Sequence, residues 1–389
     1  ETFRKVRDEL DIPAAVMLDT KGPEIRLRDF VNGSEMLEAG DTFVLTSEKC
    51  MGTAQRADTT YKALPTQVEA GTVILIDDGR IRMEVTDTTD TDVICRVISG
   101  GKISNRKGVN IPNKSLDLEY ISEADRSDIL FGIEMDVDYV AASFVRSGDD
   151  VRALRKLLND NGGEKIKIIS KIENTEGIAN FAEILDLSDG IMVARGDMGV
   201  EVDFEKLPGI QKKFIKECCR AGKPVITATQ MLESMTTSTS PTRAEITDVA
   251  NAVFDGTSAV MLSGESAAGM FPVETVQAMA KIVHQAEIDA EEVNQYKFLE
   301  VESDEKDIAN AIGHAACTTA KDIKAKAIIA VTTSGYTAEM MSKYKPVEKI
   351  IAATPVEKTY HQQSLTRGVF PVLTDFSSDW DALMVDAAR

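Results

Sequence analysis

The alternation of short apolar segments with amphipathic segments between residues 122 and 290 constrains the fold more than any other feature of the chain. The apolar segments are nearly continuous in apolar residues, which is typical of strands covered on both faces of a parallel sheet. The segments between them carry apolar residues at helical spacing. The alternation therefore predicts an α/β fold in which helices connect parallel strands.

The predicted strands and helices can be read directly from this pattern. The strands are VMLDT, DYVAASF, IKIISKIE, GIMVARGD, PVITATQM and SAVMLSGE. The helices are SEADRSDILFGIEM, SGDDVRALRKLLNDNG, TEGIANFAEILDLS, residues 207–222 and TRAEITDVANAVFDG. Thr242 precedes Glu245 by three residues at the start of the last helix, a spacing that predicts a capping box.

Two further units differ from this alternation. Residues 24–112 alternate apolar and polar residues, contain the hairpin signal Asp78-Gly79 and include no convincing long helix, so they predict an inserted all-β domain. A third α/β unit starts near residue 302. We therefore expect a barrel domain from residues 1–23 and 113–290, the inserted domain at 24–112, and a C-terminal α/β domain at 291–389. A chain of 389 residues is long enough for such a division.

Composition excludes several classes of function. The formal net charge of −20 opposes binding to nucleic acid. No apolar segment approaches the ~20 residues that a membrane-spanning helix needs. Five scattered cysteines without C-x-x-C spacing indicate reduced thiols and a cytoplasmic location. With only three histidines, chemistry based on carboxylates, lysine and metal ions is favoured.

Charged side chains end two neighbouring predicted strands. Lys171 and Glu173 end IKIISKIE, and Asp197 ends GIMVARGD. Ligands of parallel α/β barrels bind at the carboxyl ends of the strands, so the two carboxylates should converge there. Such a pair can hold Mg²⁺, with Lys171 beside it as a fixed positive charge. The alternative is an ion pair between Lys171 and Asp197 with no metal.

Four other segments carry weaker signals. Asp19 and Thr20 end VMLDT and offer oxygen ligands just before a turn into the inserted domain. The hydroxyl of Thr229, which ends another strand, either binds substrate or caps the following turn. The basic cluster at residues 105–107 either contacts phosphate or is a solvated surface. The loop at residues 332–337 could hold a phosphate on backbone N–H groups.

Several of these segments resemble those of the pyruvate kinase family, in the same order and over most of the chain. They are LDTKGPEIR, RKGVNIP, SKIENTEGI, IMVARGDMGVE, TATQMLESM, PTRAE, DVANAVFDGTSAVMLSGESAAG and RGVFPVL. The resemblance implies a (β/α)8 TIM barrel with an inserted β-barrel lid and a C-terminal three-layer α/β effector domain.

The resemblance also implies a function. The family transfers the phosphoryl group of phosphoenolpyruvate to ADP, giving pyruvate and ATP, and depends on Mg²⁺ and K⁺. Carried over to this chain, Glu173 and Asp197 would bind Mg²⁺, and Lys171 would neutralise the charge of the transferred group. The N–H groups of Gly196 and Asp197, with the Thr229 hydroxyl, would hold the substrate carboxylate.

Further positions follow from the same resemblance. Arg26 and Lys107 match nucleotide-binding positions. Asp19 and Thr20 match half of a K⁺ site, and Glu24 resembles the acidic variant that accompanies K⁺ dependence. An effector phosphate, as of a sugar phosphate, would be bound by Thr332, Thr333, Ser334, Gly335, Tyr336 and Thr337. Assembly into a homotetramer is expected because the family assembles so.

The sequence departs from the family pattern at both ends. The first two barrel strands, the last strands of the C-terminal domain and the loop that completes the effector pocket do not occur in it, so we expect residues 1–389 alone to be inactive or unstable. Two alternatives remain open at this point. One is a Mg²⁺-dependent lyase or aldolase of the phosphoenolpyruvate/pyruvate barrel group, and the other is a non-catalytic effector-binding relative. A requirement for ADP separates the kinase from the lyase.

Overall fold

The structure is a computed structural model that describes residues 2–112, 114–292 and 308–375. Residue 113, at which we predict that the barrel resumes, lies outside the described residues. So do residues 293–307 and 376–389, which belong to the predicted C-terminal domain.

The chain begins with helix α1 and strand β1 and then enters a region rich in antiparallel strands. These elements are α1 (Thr2–Leu10), β1 (Met17–Asp19), β2 (Ile25–Arg26), β3 (Ser34–Leu37), β4 (Thr42–Thr46), β5 (Arg56–Asp58), α2 (Leu64–Gln67), β6 (Val73–Ile76), β7 (Ile81–Thr88), β8 (Asp92–Ser99), β9 (Gly101–Ser104) and β10 (Gly108–Asn110). Strands β2 and β4–β8 form one sheet with β10, and β3 pairs with β9.

The β-rich region folds as its alternation predicts. In β7, every second residue from Ile81 to Val85 is buried, because successive side chains of a strand point to opposite faces. The predicted Asp78-Gly79 hairpin is confirmed, since Ile76 of β6 pairs with Ile81 of β7 across it. The apolar faces of the strands enclose a core of their own.

The next segment builds the parallel sheet. Its elements are α3 (Glu123–Glu134), β11 (Tyr139–Ala142), α4 (Gly148–Asp160), β12 (Lys167–Ile172), α5 (Thr175–Ala179), α6 (Phe181–Leu187), β13 (Gly190–Ala194), α7 (Arg195–Glu201), α8 (Leu207–Ala221), β14 (Val225–Ala228), α9 (Arg243–Asp255), β15 (Ala259–Val260), α10 (Gly264–Ala267) and α11 (Pro272–Glu292). Within the described residues, the strand order is β1-β11-β12-β13-β14-β15, with every pairing parallel. The predicted α/β fold of the TIM-barrel type is confirmed.

The two faces of this sheet have different partners. The outer face packs against the helices through a large apolar cluster that includes Val140, Ile168 and Val193. The inner face carries Tyr139, Ala141, Ile169, Met192, Ile226 and Ala228. Lys171 and Glu173 follow Ile169 at intervals of two residues, so the pleat places both on the inner side at the carboxyl ends of the strands.

The C-terminal region is a second parallel α/β unit. Its elements are α12 (Ile308–Asp322), β16 (Ala327–Val331), α13 (Tyr336–Ser342), β17 (Lys349–Thr354), α14 (Glu357–Gln362) and β18 (Val369–Leu373). Its strands lie in the order β16-β17-β18 within the part of the chain that the structure describes. Short 3₁₀ helices occur at Phe204–Lys206, Glu233–Thr236 and Gln363–Leu365.

Two predicted elements differ from the structure. The segment SAVMLSGE forms only the short strand β15 before turning into α10, because the buried carboxylate of Glu265 accepts hydrogen bonds from the Leu232 and Ser263 amides. The single helix predicted for TEGIANFAEILDLS is two helices, α5 and α6. They are separated at Asn180, whose side-chain amide donates to the Arg146 carbonyl at 2.9 Å.

The predicted capping box is confirmed. The Thr242 hydroxyl accepts from the Glu245 amide at 3.2 Å, and the Glu245 carboxylate accepts from the Thr242 amide at 2.7 Å. Both contacts satisfy backbone groups that the first turn of a helix leaves unpaired. The start of α9 is therefore set by local sequence.

Candidate active site

Lys171 lies in a polar cluster at the carboxyl end of β12. Its ammonium group donates to the Ser143 hydroxyl at 2.8 Å and lies 3.1 Å from Asp19 Oδ1 and 3.2 Å from Glu173 Oε1. Burial lowers the pKa of Lys171, but the charges of Glu173 and Asp19 outweigh burial and raise it. The ammonium is therefore a permanent positive charge at this point.

Glu173 and Asp197 converge beside Lys171. The Glu173 side chain is 1 % exposed, and its Oε2 accepts from the Phe144 amide at 2.5 Å. Burial raises the pKa of Glu173 to about 7, and the charge of Asp197 adds to this rise while Lys171 opposes it. Burial also raises the pKa of Asp197, and this carboxyl group interacts electrostatically with both Lys171 and Glu173. The convergence predicted from the strand ends is present.

The donor set fits a divalent cation. The buried Glu173 carboxyl group and the half-buried Asp197 carboxyl group bring negative charge together, and the charge of Asp197 raises the pKa of Glu173. An oxygen-seeking cation such as Mg²⁺ would neutralise this charge. Among the described residues no group of three or more His, Cys, Asp and Glu side chains is arranged to hold a metal. Two carboxylates are nevertheless sufficient for Mg²⁺, which usually retains water and substrate oxygens as its other ligands.

The alternative ion pair between Lys171 and Asp197 is not what forms. Lys171 has its ion pairs with Asp19 and Glu173. Asp197 receives only the longer-range attraction of this ammonium, which lowers its pKa against the effect of burial. The Asp197 carboxylate therefore has no direct ion pair with Lys171.

Asp19 and Thr20 are linked to the same cluster through Ser143. The Ser143 hydroxyl lies 3.2 Å from Asp19 Oδ1 and 2.6 Å from the Thr20 carbonyl oxygen. The Ser143 amide donates to the Thr20 hydroxyl at 3.1 Å. Four oxygens therefore lie close together, as a site for a monovalent cation requires: the Ser143 hydroxyl, Asp19 Oδ1, and the carbonyl and hydroxyl oxygens of Thr20. Each of them already has a hydrogen-bond partner in the protein.

Ser143 and Phe144 were not among the candidates that the sequence identified. Ser143 is 2 % exposed and directly follows β11. Phe144 has a positive φ of 52°, and this turn directs its amide to Glu173. The rule that placed Lys171 at a strand's carboxyl end applies equally to DYVAASF and could have found Ser143.

Thr229 and Gly196 meet at the ends of β14 and β13. The Gly196 amide donates to the Thr229 hydroxyl at 2.7 Å, and this hydroxyl donates to the carbonyl of Ala228 at 2.7 Å. Thr229 adopts a left-handed backbone with φ of 65°. The predicted carboxylate-binding groups are thus adjacent, although in this conformation the amide and the hydroxyl bind each other.

A cavity of about 630 Å³ lies between the β-rich region and the barrel. Arg26, Lys107 and Asp197 line it, whereas Lys171, Glu173 and Thr229 do not. The Arg26 guanidinium forms a two-point ion pair with Glu24, at 2.6 and 2.7 Å. Lys107 pairs with Asp77 at 2.7 Å, so both predicted nucleotide contacts are exposed cations that already have carboxylate partners.

The 332–337 loop belongs to a different sheet. It follows β16 and leads into α13, so it lies at the carboxyl end of the C-terminal sheet rather than at that of the barrel. Within the loop, the Gly335 amide donates to the Thr332 hydroxyl at 2.9 Å, and the Tyr336 amide lies 3.4 Å from the Ser334 hydroxyl. The Thr333 carbonyl accepts from Thr359 at 2.8 Å.

Comparison with protein families identifies the chain. The family described as pyruvate kinase, barrel domain, matches residues 1–276, and the family described as pyruvate kinase, alpha/beta domain, matches residues 310–389. The chain belongs to the pyruvate kinase family. It is accordingly a phosphotransferase of glycolysis that forms pyruvate from phosphoenolpyruvate, as the sequence resemblance implied.

Curated relatives named pyruvate kinase agree with this assignment. That of Clostridium acetobutylicum is 48 % identical over 98 % of this chain and 80 % of its own length. That of Clostridium perfringens is 45 % identical over 100 % of this chain and 82 % of its own length. A crystal structure of a pyruvate kinase from Cryptosporidium parvum has a TM-score of 0.91 at 39 % identity, over 99 % of this chain and 80 % of that one.

None of the helices that the structure describes is long and apolar enough to cross a membrane.

Proposed function

We propose that this pyruvate kinase transfers the phosphoryl group of phosphoenolpyruvate to ADP with Mg²⁺ held by Glu173 and Asp197. The observation that carries the proposal is that the buried Glu173 carboxyl group interacts electrostatically with the half-buried Asp197 carboxyl group beside the Lys171 ammonium. When bound, the divalent cation supplies positive charge against the phosphoryl oxygens. Phosphoryl transfer requires little covalent chemistry from a protein and mainly requires fixed charges around the moving group.

Each residue of the cluster then has a role that its surroundings support. Lys171 keeps its proton and places a positive charge where the phosphoryl group gains negative charge. Ser143 and Asp19 contact its ammonium and hold it in place. The substrate carboxylate is received by the Gly196 and Asp197 amides with the Thr229 hydroxyl, once the Gly196 amide turns from the hydroxyl to the substrate.

The monovalent cation and the nucleotide occupy neighbouring places in this proposal. K⁺ lies near the oxygens of Asp19 and Thr20, which are concentrated around Ser143. ADP lies in the 630 Å³ cavity against Arg26 and Lys107. Its phosphates replace Glu24 as the partner of Arg26 and Asp77 as the partner of Lys107. The β-rich region, proposed as residues 24–112, thereby acts as a lid over the barrel.

Regulation and assembly complete the proposal. A sugar phosphate is bound by the loop at residues 332–337, whose amides and hydroxyls precede α13. The chain assembles as a homotetramer and acts in the cytoplasm. Support for these three statements comes from the family resemblance together with the loop's position after a strand.

The metal site is tested by Glu173→Gln, which keeps the shape of the buried side chain and removes its charge. Mn²⁺ serves as a probe for the divalent site, and its binding to the chain is measured by electron paramagnetic resonance. We expect the variant to bind Mn²⁺ at least about tenfold more weakly, because one of two charged ligands is lost. Glu183→Gln, on the outer helix α6, is the matched control and should bind as the unaltered chain does. Equal Mn²⁺ affinity in the Glu173 variant and the unaltered chain would contradict the proposal.

Turnover is measured separately, as pyruvate formed from phosphoenolpyruvate with and without ADP, Mg²⁺ and K⁺. Pyruvate formation that needs ADP supports the kinase reaction, and formation without ADP supports a lyase. That residues 1–389 alone are inactive stays a prediction, which a normal rate in this assay would refute.

A further inference from the structure

Arg195 is a buried cation that the proposed reaction does not use. Arg195 is 9 % exposed and directly follows β13. A buried guanidinium is costly unless its N–H groups find partners. Nη1 pairs with Asp248 Oδ2 of α9 at 2.6 Å, and Nε donates to the Ala228 carbonyl at 3.1 Å. Nη2 donates to the Thr229 carbonyl at 2.6 Å and contacts the Met231 sulfur at 2.8 Å.

These partners surround a strained turn. Thr229 and Gln230 have φ angles of 65° and 53°, so two consecutive residues other than glycine adopt the left-handed conformation. The left-handed conformation is strained for a residue other than glycine, and a β-branched residue such as threonine is disfavoured further. A turn of this kind persists only when surrounding contacts hold it.

The turn changes the direction of the Thr229 side chain. Ile226 and Ala228 of β14 face the inner cluster of the barrel, whereas Val225 faces the outer helices. Continued extension would therefore direct Thr229 outward, as for Val225, because the pleat alternates. The left-handed backbone instead brings its hydroxyl to the Gly196 amide at 2.7 Å, next to Asp197.

The guanidinium holds the peptide groups on both sides of Thr229. The Ala228 carbonyl precedes this residue and the Thr229 carbonyl follows it, and the rigid fork of Arg195 binds both. Asp248 fixes the other edge of the fork from α9. Arg195 thus connects β13, β14 and α9. Among the described residues, no hydrogen bond links its guanidinium to the Lys171 cluster.

We infer that Arg195 is a positioning residue whose guanidinium holds the left-handed Thr229–Gln230 turn and thereby places the Thr229 hydroxyl for the substrate carboxylate. The inference rests on the role proposed above for Thr229. It assigns to Arg195 no contact with substrate, and it predicts that the effects of Arg195 and Thr229 on substrate binding are not independent.

The first test needs no substrate. Amide hydrogen exchange at Gly196 is followed by NMR in the unaltered chain and in Arg195→Lys, which keeps the positive charge but not the fork. We expect exchange at Gly196 to become at least about tenfold faster, because its acceptor moves away, while the Met192 amide inside β13 is unchanged. Unchanged exchange at Gly196 would overturn the inference.

A strain-relief variant separates positioning from general loss of structure. Glycine adopts positive φ without penalty, so Gln230→Gly should restore slow Gly196 exchange when added to Arg195→Lys. The matched control is Arg155→Lys, because that guanidinium also binds a carboxylate, Asp189 at 2.8 Å, and a carbonyl, Ile166 at 2.9 Å. The control should leave Gly196 unaffected, and failure of the glycine variant to restore protection would count against the inference.

The second test measures phosphoenolpyruvate binding in Mg²⁺ by calorimetry for Arg195→Lys, Thr229→Ala and the double variant. We expect each single change to weaken binding about tenfold and the double variant to bind no worse than either. If Thr229→Ala binds normally, the proposed function of Thr229 is wrong. If Thr229→Ala weakens binding while Arg195→Lys does not, or if the two effects add, the inference alone is wrong.

Folding is checked by the thermal unfolding midpoint of each variant. Should Arg195→Lys fail to fold, Asp248→Asn takes its place in both tests, because it weakens the anchor of the guanidinium at a half-exposed position. Faster Gly196 exchange in that variant supports the inference, and unchanged exchange overturns it.

Discussion

At the scale of single residues, the orientation of Lys171 depends on a serine that is distant in sequence. The Ser143 hydroxyl accepts from the ammonium at 2.8 Å and lies 2.6 Å from the Thr20 carbonyl, so it links β1 to β12. Gly22 makes the approach possible, since a Cβ there would lie 2.7 Å from the Ser143 carbonyl oxygen and its φ is 74°. One small side chain therefore helps to fix the direction of the Lys171 ammonium, together with Asp19 and Glu173.

Ser143→Ala tests this at the level of binding. Hydrogen bonds to charged groups contribute about 1.5–3 kcal/mol, so we expect phosphoenolpyruvate to bind roughly tenfold more weakly by calorimetry. Ser170→Ala is the matched control. Ser170 directly precedes Lys171 in β12, is as buried as Ser143, and its hydroxyl forms a hydrogen bond with that of Ser188 at 2.6 Å. The control should lose stability without losing affinity. Equal affinity in Ser143→Ala and the unaltered chain would refute the prediction.

At the scale of elements, β12 connects the active site with the C-terminal α/β unit. Its carboxyl end leads to Lys171 and Glu173, and its amino end begins with Lys167, whose ammonium pairs with Glu339 at 2.6 Å. Glu339 belongs to α13, the helix that follows the 332–337 loop, and also accepts from Gln363 at 2.9 Å. One end of β12 therefore forms ion pairs within the candidate site, and the other end forms an ion pair with the C-terminal α/β unit.

This contact should stabilise the chain measurably, because both partners are largely buried. We expect Glu339→Gln and Lys167→Met each to lower the free energy of unfolding by about 2 kcal/mol, and the double variant to lose little more than either. Urea unfolding monitored by circular dichroism provides the measurement. The exposed pair Lys156–Asp160 is the control, where Lys156→Met should change stability by less than about 0.5 kcal/mol. Additive losses in the double variant would show that the pair is not coupled.

At the scale of the whole molecule, the C-terminal unit closes the amino end of the barrel. Leu365 packs against the inner cluster, and the Tyr139 hydroxyl donates to the Gln362 carbonyl at 2.7 Å. The Gln362 side chain donates to the carbonyl oxygens of Asp138 and Lys165. His361 accepts from Arg7 of α1 at 3.3 Å, since the guanidinium has no lone pair to offer.

The Arg7–His361 contact predicts a pH dependence of stability. Burial and the charge of Arg7 lower the pKa of His361, against the weaker opposing effect of Asp138, Glu357 and Asp8. As the pH falls, His361 therefore takes up its proton at about pH 6.5 in the unfolded chain and at a lower pH in the folded chain. The contribution of this contact is fully present above about 6.5 and is lost as the pH falls through the lowered folded pKa.

We expect the thermal unfolding midpoint to fall between pH 7 and pH 5 and His361→Gln to make this fall smaller. The matched control, His284→Gln on the exposed side of α11, should retain the full pH dependence. Identical pH profiles for the His361 variant and the unaltered chain would contradict this account.

The sequence alone determined the class of fold and predicted where charged side chains of successive strands meet. Continuous apolar segments and helical spacing gave the order of the strands, and the capping box set the start of α9, because these signals act within a few residues. The strand-end rule located Lys171, Glu173 and Asp197, whose convergence follows from parallel pairing. The family resemblance, now supported by the comparisons, identified the reaction.

Only the tertiary structure decided which neighbours these side chains have. Asp19 contacts Lys171 across 152 residues of sequence, Ser143 contacts it across 28, and Arg7 meets His361 across 354. Arg195 follows a strand as Lys171 ends one, yet it turns to the outer side and binds a strained turn. Such contacts depend on the packing of strands and helices brought together from distant parts of the chain, and no local pattern of residues records that packing.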